Sequence, residues 1–326
     1  MKGYEHVLSF AIEHPWNLTR PMLQIVAEIL ARRVAGETVS RDEILAAVAK
    51  RKDLPQAKRG NVAVIPIHGV LAPRMNVFSE MSGGTSYQEI GAQLREAVQS
   101  PAIASIVLDI DSPGGSVAGN AELASEIMKA RTSKPVIAQA QYTMASAAYH
   151  LAAAATEIVA SPSARIGSIG TFTIHDDLSA ALEQHGVKRT FISAGDGKVD
   201  GNETGPLSDR ARSRLQKSVD EAYSQFVANV VRGRGAGVTA RKVQEDWKAH
   251  VYGAAEAKDL GMIDRVATLD ETLARVLDGP TASTTPASRD TAQTAREDGA
   301  AQDRIVDPDL ERWAFEVQLS AIETGL

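Results

Sequence analysis

The sequence predicts an α/β protein with a largely parallel sheet and flanking helices, a helical N-terminal extension and a flexible C-terminal tail. Three observations carry this. From Asn61 onward, short apolar runs alternate with longer amphipathic segments, the pattern of strands joined by crossover helices. Before that, "PMLQIVAEILARRV" spaces its apolar residues for a helix, and "SRDEILAAVAKR" opens with Ser40 and Glu43 placed for a capping box. After about Asp278 the chain becomes "GPTASTTPASRDTAQTAREDGAAQD", too poor in apolar residues to build a core. The expected division is residues 1–58 as helical extension, 59–275 as the main domain, 276–305 as flexible linker and 306–326 as a C-terminal helix or tail.

Within the main domain the elements follow in order. "VAVIPIHGVL" and "IASIVLDID" read as buried strands, with "SYQEIGAQLREAVQ" as the amphipathic helix between them. "AELASEIMKAR" is the next helix and "PVIAQAQ" the next strand, followed by an alanine-rich helix through "MASAAYHLAAAA". "TEIVASP", "IGSIGTFTI" and "KRTFISAG" are expected strands, and "LSAALEQHG" a helix. A long amphipathic helix in "DRARSRLQKSVDEAYSQFVANVVRGRG" and shorter ones in "RKVQEDW" and "GAAEAKDLG" complete the domain.

Composition narrows the function. Hydrophobic content of 44% and charged content of 23% are those of a soluble globular chain. A net charge of −6 offers no basic footprint for nucleic acid. The absence of cysteine excludes disulfides, thiolate metal sites and a cysteine nucleophile. The opening "MKGYEHVLSFAIEHPWNL" lacks the cleavage site of a signal peptide. The alanine-rich stretch makes a poor membrane span, because Gln139, Gln141, His150 and Glu157 would sit in or near the bilayer.

Two motifs carry chemistry. In "DIDSPGGSVAG" adjacent glycines after a buried strand allow a sharp turn, and they leave N–H groups able to bind a phosphate or an oxyanion. A plain tight turn is the competing reading. Ser146 stands between a strand and the alanine-rich helix, where its hydroxyl projects at the carboxyl end of the sheet beside the N–H of Ala147. Alone, a serine there is better explained by N-capping than by a nucleophile. A nucleophile needs a base, and the candidates are His150 one turn along, His175 in "TFTIHDD" and Lys198 in "SAGDGKVDGN". His150 is the poorest, because its ring would lie beside the helix wall.

Taken together, "DSPGGSV", "ASAAYHLA", "RIGSIG", "SAGDGKVDG" and "VYGAAEAKDLGMID" resemble the signal peptide peptidase A (protease IV) family of serine peptidases. That family lies within the Clp-protease/crotonase superfold, and the similarity, over about residues 60–270, looks closest to its phage capsid or prohead protease branch. Ala147 and Ala148 depart from it, standing where glycines are usual. The resemblance implies a Ser/Lys dyad with Ser146 as nucleophile and Lys198, 52 positions on, as general base. Ser168 would position the lysine, and Gly114 or Gly115 with Ala147 would form the oxyanion hole. An unperturbed lysine is protonated at neutral pH, but desolvation and a helix N-terminus both favour the neutral amine.

The resemblance further implies an endopeptidase acting through an acyl-enzyme, with no cofactor and no metal. Its substrates would be capsid assembly proteins such as scaffold or portal, its state a homo-oligomer and its location the host cytoplasm, possibly prohead-associated. Two alternatives stand beside it: a catalytically inactive capsid assembly factor, and a crotonase-type acyl-CoA enzyme using the same two-donor hole.

Overall fold

The computed structural model describes residues 16–18, 57–74, 84–235 and 237–278. Expectations for the rest of the N-terminal extension, including the Ser40 capping box, and for the linker and C-terminal helix lie outside the described residues. In the part of the extension that is described, the chain is strand: β1 (Trp16–Leu18) and β2 (Ala57–Arg59).

The main sheet is mostly parallel, in the order β11 (Val251–Gly253), β10 (Arg165–Gly167), β8 (Val136–Ala145), β6 (Ser105–Ser112), β3 (Val62–His68) and β2. Its centre is β3, β6 and β8. Both faces are covered, and the side chains divide between them with the strand period of two. Ala63, Ile65, Ile67, Ile106, Leu108, Ile110, Ala138 and Ala140 pack on one face into the larger core. Val62, Val64, Val107 and Ile137 point the other way, against Leu273. β8 is long enough to take two partners along one edge. Its first half pairs with β9 (Glu157–Ala160) and its last residues with β10, both parallel. β11 closes that edge antiparallel to β10, and β12 (Arg265–Val266) extends β9.

The helices on the larger core are fixed by their buried faces. α1 (Tyr87–Gln99) buries Ile90, Leu94 and Ala97, and starts where Ser86 accepts a hydrogen bond from the Glu89 amide. α2 (Asn120–Ala130) buries Leu123, Ala124 and Ile127. α3 (Ala147–Ala153) is buried at every residue, and its alanines allow close approach to the sheet. α4 (Ser179–Gln184) has no buried residue. α5 (Asp209–Arg234) packs mainly through Phe226, Val227 and Val230 near its end. There Gly233 lies so close to Ala153 that a Cβ would fall 2.1 Å from the Ala153 carbonyl oxygen. The segment "RKVQEDW" forms a π-helical turn over Lys242–Trp247, and its Trp247 donates from Nε1 to the Leu260 carbonyl. α6 (Ala254–Asp259) follows. α7 (Leu269–Leu277) covers the second face and opens on a capping box of Thr268 and Glu271.

A small second sheet has the order β1-β7-β4-β5, with β4 (Leu71–Ala72), β5 (Thr85–Ser86) and β7 (Gly114–Ser116).

One expected strand does not form. "KRTFISAG" has no regular structure, and its residues are exposed, Ile192 at 99%. A strand needs a neighbour for its backbone hydrogen bonds, and none of the described residues pairs with this segment. The strand expected in "IGSIGTFTI" is likewise short: β10 ends at Gly167, where the backbone turns away.

Candidate active site

Three adjacent strands of the main sheet deliver the site. β6 and β8 are in register at Ser112 and Met144, and β8 and β10 at Ala145 and Gly167. The residues that follow these positions therefore emerge side by side at the carboxyl end of the sheet. They are the Gly-Gly turn after β6, Ser146 after β8 and Ser168 after β10.

Ser146 occupies a backbone conformation that L-residues seldom adopt, with φ 55° and ψ −120°. It stands in the N-cap position of α3, but its side chain makes no cap hydrogen bond. Its amide donates instead to the Gly167 carbonyl at 2.7 Å. Ser146 is fully buried, and its Oγ has no hydrogen-bond partner among the described residues. A strained backbone and an unpaired buried hydroxyl each destabilise the fold by about 1–3 kcal/mol. Both concentrate where a side chain must be aimed rather than satisfied. A strained serine at a sharp strand-to-helix turn is the geometry that presents a nucleophile.

Ser168 is held in the same way, with φ 55° and an amide donating to the His250 carbonyl at 2.7 Å. Gly167 between them has φ 130°, and a Cβ there would sit 2.3 Å from the His250 oxygen. The "GSIG" run is thus a fixed bend that lies beside Ser146.

On the other flank the Gly114 amide donates to Ser112 Oγ at 3.2 Å, while Ser112 donates to the Gly69 carbonyl at 2.7 Å. Gly115 admits no side chain, since a Cβ would lie 1.9 Å from the Leu71 carbonyl oxygen. Ala147 is the first residue of α3, so its amide has no intrahelical acceptor. Asn120 fixes that helix start, donating from Nδ2 to the Ala147 carbonyl at 3.1 Å and to the Tyr87 hydroxyl. Tyr87 in turn donates to the Ser116 carbonyl at 2.6 Å, and burial pushes its hydroxyl pKa up, so it remains a donor. Sequence reading passed over Ser112, Asn120 and Tyr87. The first lies inside the "DSPGG" motif and was legible there; the others had no local signal.

The candidate bases separate. His150 is buried, stacked on Phe226 with ring centroids 4.6 Å apart, and its Nε2 accepts from Asn229 Nδ2 at 2.9 Å. Burial first, and the nearby Arg232 second, lower its pKa to about 3. It is a neutral core residue. Since an unfolded chain protonates this ring below pH about 6.5 and the folded one does not until about 3, stability contributed here is complete above pH 6.5. It is lost as pH falls through that window. In urea unfolding, the stability gap between wild type and His150→Gln is expected to narrow by about 2–3 kcal/mol from pH 7.5 to 4.5. A constant gap would place the ring in contact with solvent.

His175 is half-buried with Nε2 at 3.3 Å from the Gly205 carbonyl. It lines a cavity of about 480 Å³ with Phe172, Leu207 and Arg212. Lys198 is exposed, on a loop pinned to α5 where Arg210 bridges Asp196 at 2.7 Å and Asp200 at 2.8 Å. No hydrogen bond joins Lys198 or His175 to Ser146 among the described residues. The single chain therefore brings together Ser146, Ser168, Ala147 and the two glycines, and carries Lys198 on an exposed segment.

A mostly parallel α/β sheet with flanking helices agrees with a Clp-protease/crotonase-like fold. Residues 128–280 match the model of Peptidase family S49. It is 32% identical over 282 residues to "Capsid assembly protease C" of Escherichia phage lambda, covering 82% of this chain and 64% of the relative. It is 32% identical over 281 residues to "Head-tail preconnector protein GP5" of Enterobacteria phage P21, covering 81% and 55%. It is 29% identical over 222 residues to "Protease 4" of Salmonella typhi, covering 68% and 35%. The chain thus spans less than two thirds of the length of each of these relatives. No helix among the described residues is long and apolar enough to cross a membrane.

Proposed function

We propose that the chain is a serine endopeptidase that cuts capsid assembly proteins, such as scaffold or portal, in the host cytoplasm or within the prohead. The observation that carries this is Ser146, strained, buried and without a partner at the head of α3. The S49 match and the capsid assembly protease of phage lambda support the substrate class.

In this reading Ser146 Oγ attacks the scissile carbonyl carbon while its proton passes to Lys198, acting as general base. The carbonyl oxygen becomes an oxyanion that accepts hydrogen bonds from Ala147 and from Gly114 or Gly115. Collapse breaks the C–N bond, and Lys198 returns the proton to the leaving amine. Water then attacks the Ser146 ester, Lys198 takes the water's proton, and the acid is released as Ser146 is reprotonated. Ser168, which follows β10 beside Ser146, orients the lysine. Neither metal nor organic cofactor enters this scheme.

The exposed apolar residues near Lys198, Phe191 and Ile192 among them, suit packing on a second copy, so we place the working enzyme in a homo-oligomer. The exposed lysine also favours one rival, an assembly factor without activity. Co-expression with candidate scaffold and portal proteins separates them by intact mass. The protease reading expects new fragments with wild type and none with Ser146→Ala. Fragments that persist with Ser146→Ala, or none in either case, would reject it.

A further inference from the structure

Ser146 is fully buried, so a peptide reaches its hydroxyl only when something over the site moves. The small sheet contains a candidate. β7, which carries Gly114 and Gly115, has β4 on one side and β1 on the other. β1 comes from the N-terminal segment and lies antiparallel, with Trp16 opposite Ser116, Asn17 opposite Gly115 and Leu18 opposite Gly114. Without β1, β7 is an open edge whose backbone groups can pair with any extended peptide.

Position and direction both point to substrate mimicry. α3, which follows Ser146, packs against β7, so this edge borders the proposed nucleophile. β1 runs from Ser116 toward Gly114. A peptide paired in the same sense leads its C-terminal side to the glycine proposed to bind the oxyanion, which is how the acyl half of a substrate must arrive. A segment of the same chain also meets the edge without the dilution that a free peptide suffers, which raises its local concentration there. Three residues of pairing are few enough to let go.

We propose that Trp16–Leu18 is an internal competitor, a strand of the chain held on the β7 edge where an extended peptide substrate pairs. The proposal rests on Ser146 being the nucleophile. Release of this strand, by a substrate protein or by assembly, opens the edge.

The test uses the full chain carrying Asn17→Pro, which removes a backbone donor from the middle of β1. For an extended peptide substrate, kcat/KM is expected to rise about tenfold. A synthetic peptide of residues 12–22 should then inhibit the variant competitively, raising KM with kcat unchanged. Hydrogen exchange at the amides of residues 114–116 should be faster in the variant and slow again when the peptide is added. Unchanged exchange at those amides would overturn the pairing whatever the activity. An unchanged KM without inhibition by the peptide, or a folded variant that has lost activity, would overturn the competitor role. If neither protein reacts with a serine-directed fluorophosphonate, it is the nucleophile assignment that has failed, and the exchange data still decide whether β1 holds the edge.

Discussion

Replacing Ser146 by alanine is expected to lower kcat/KM for peptide cleavage by about 10⁴-fold or more, because no acyl-enzyme can then form. The fold should survive, since the hydroxyl bonds to nothing among the described residues. The backbone adds a second, independent expectation. At φ 55° and ψ −120° any side chain is strained, and glycine is not. Ser146→Gly should therefore be as inactive as Ser146→Ala yet more stable than it by about 1 kcal/mol, measured as the urea midpoint at equal m value. Equal stability of the two variants would mean that the bend stores no strain and that Ser146 is an ordinary helix-start serine.

Lys198→Ala is expected to lower kcat/KM by about 10³-fold, the scale of general-base catalysis, with no measurable change in stability. Lys198 is exposed and its side chain bonds to nothing among the described residues, so surface-type effects within about 0.5 kcal/mol are all its removal should cause. That separation makes the experiment clean: lost activity cannot be assigned to lost folding. His175→Ala serves as the contrast and should retain near-wild-type activity. The opposite pattern, an inactive His175→Ala and an active Lys198→Ala, would replace the dyad by a Ser/His pair.

Much of the fold was legible because the main sheet is buried on both faces. Runs such as "IASIVLDID" have no other use for so many adjacent apolar residues, and β6 lies where that run predicts, two residues later at its start and one at its end. α1 is marked by its apolar spacing, whereas α7 and its Thr268 cap were not among the expected elements. What failed was set by partners distant in sequence. "KRTFISAG" has strand composition, but nothing in the described chain offers it an edge. The N-terminal residues 16–18 carry no strand signal, and their pairing comes from β7, far along the chain.

At the site, position was legible and conformation was not. Read alone, a serine before an alanine-rich helix fits a cap better than a nucleophile. Only the donation of its amide to Gly167, and the missing cap hydrogen bond, distinguish them. Those facts belong to the neighbouring strand β10, which local sequence cannot see. Asn120 likewise reads as an ordinary first residue of α2, and its hold on Ala147 exists only in the packed structure.

The central claim is that Ser146 is an activated nucleophile. Incubation of the full chain with a serine-directed fluorophosphonate, followed by peptide mapping, tests it most directly. One adduct per chain on Ser146, slowed by Lys198→Ala and absent from Ser146→Ala, is the result expected. An adduct on Ser168 or another serine, or no adduct at all in the assembled wild type, would contradict it.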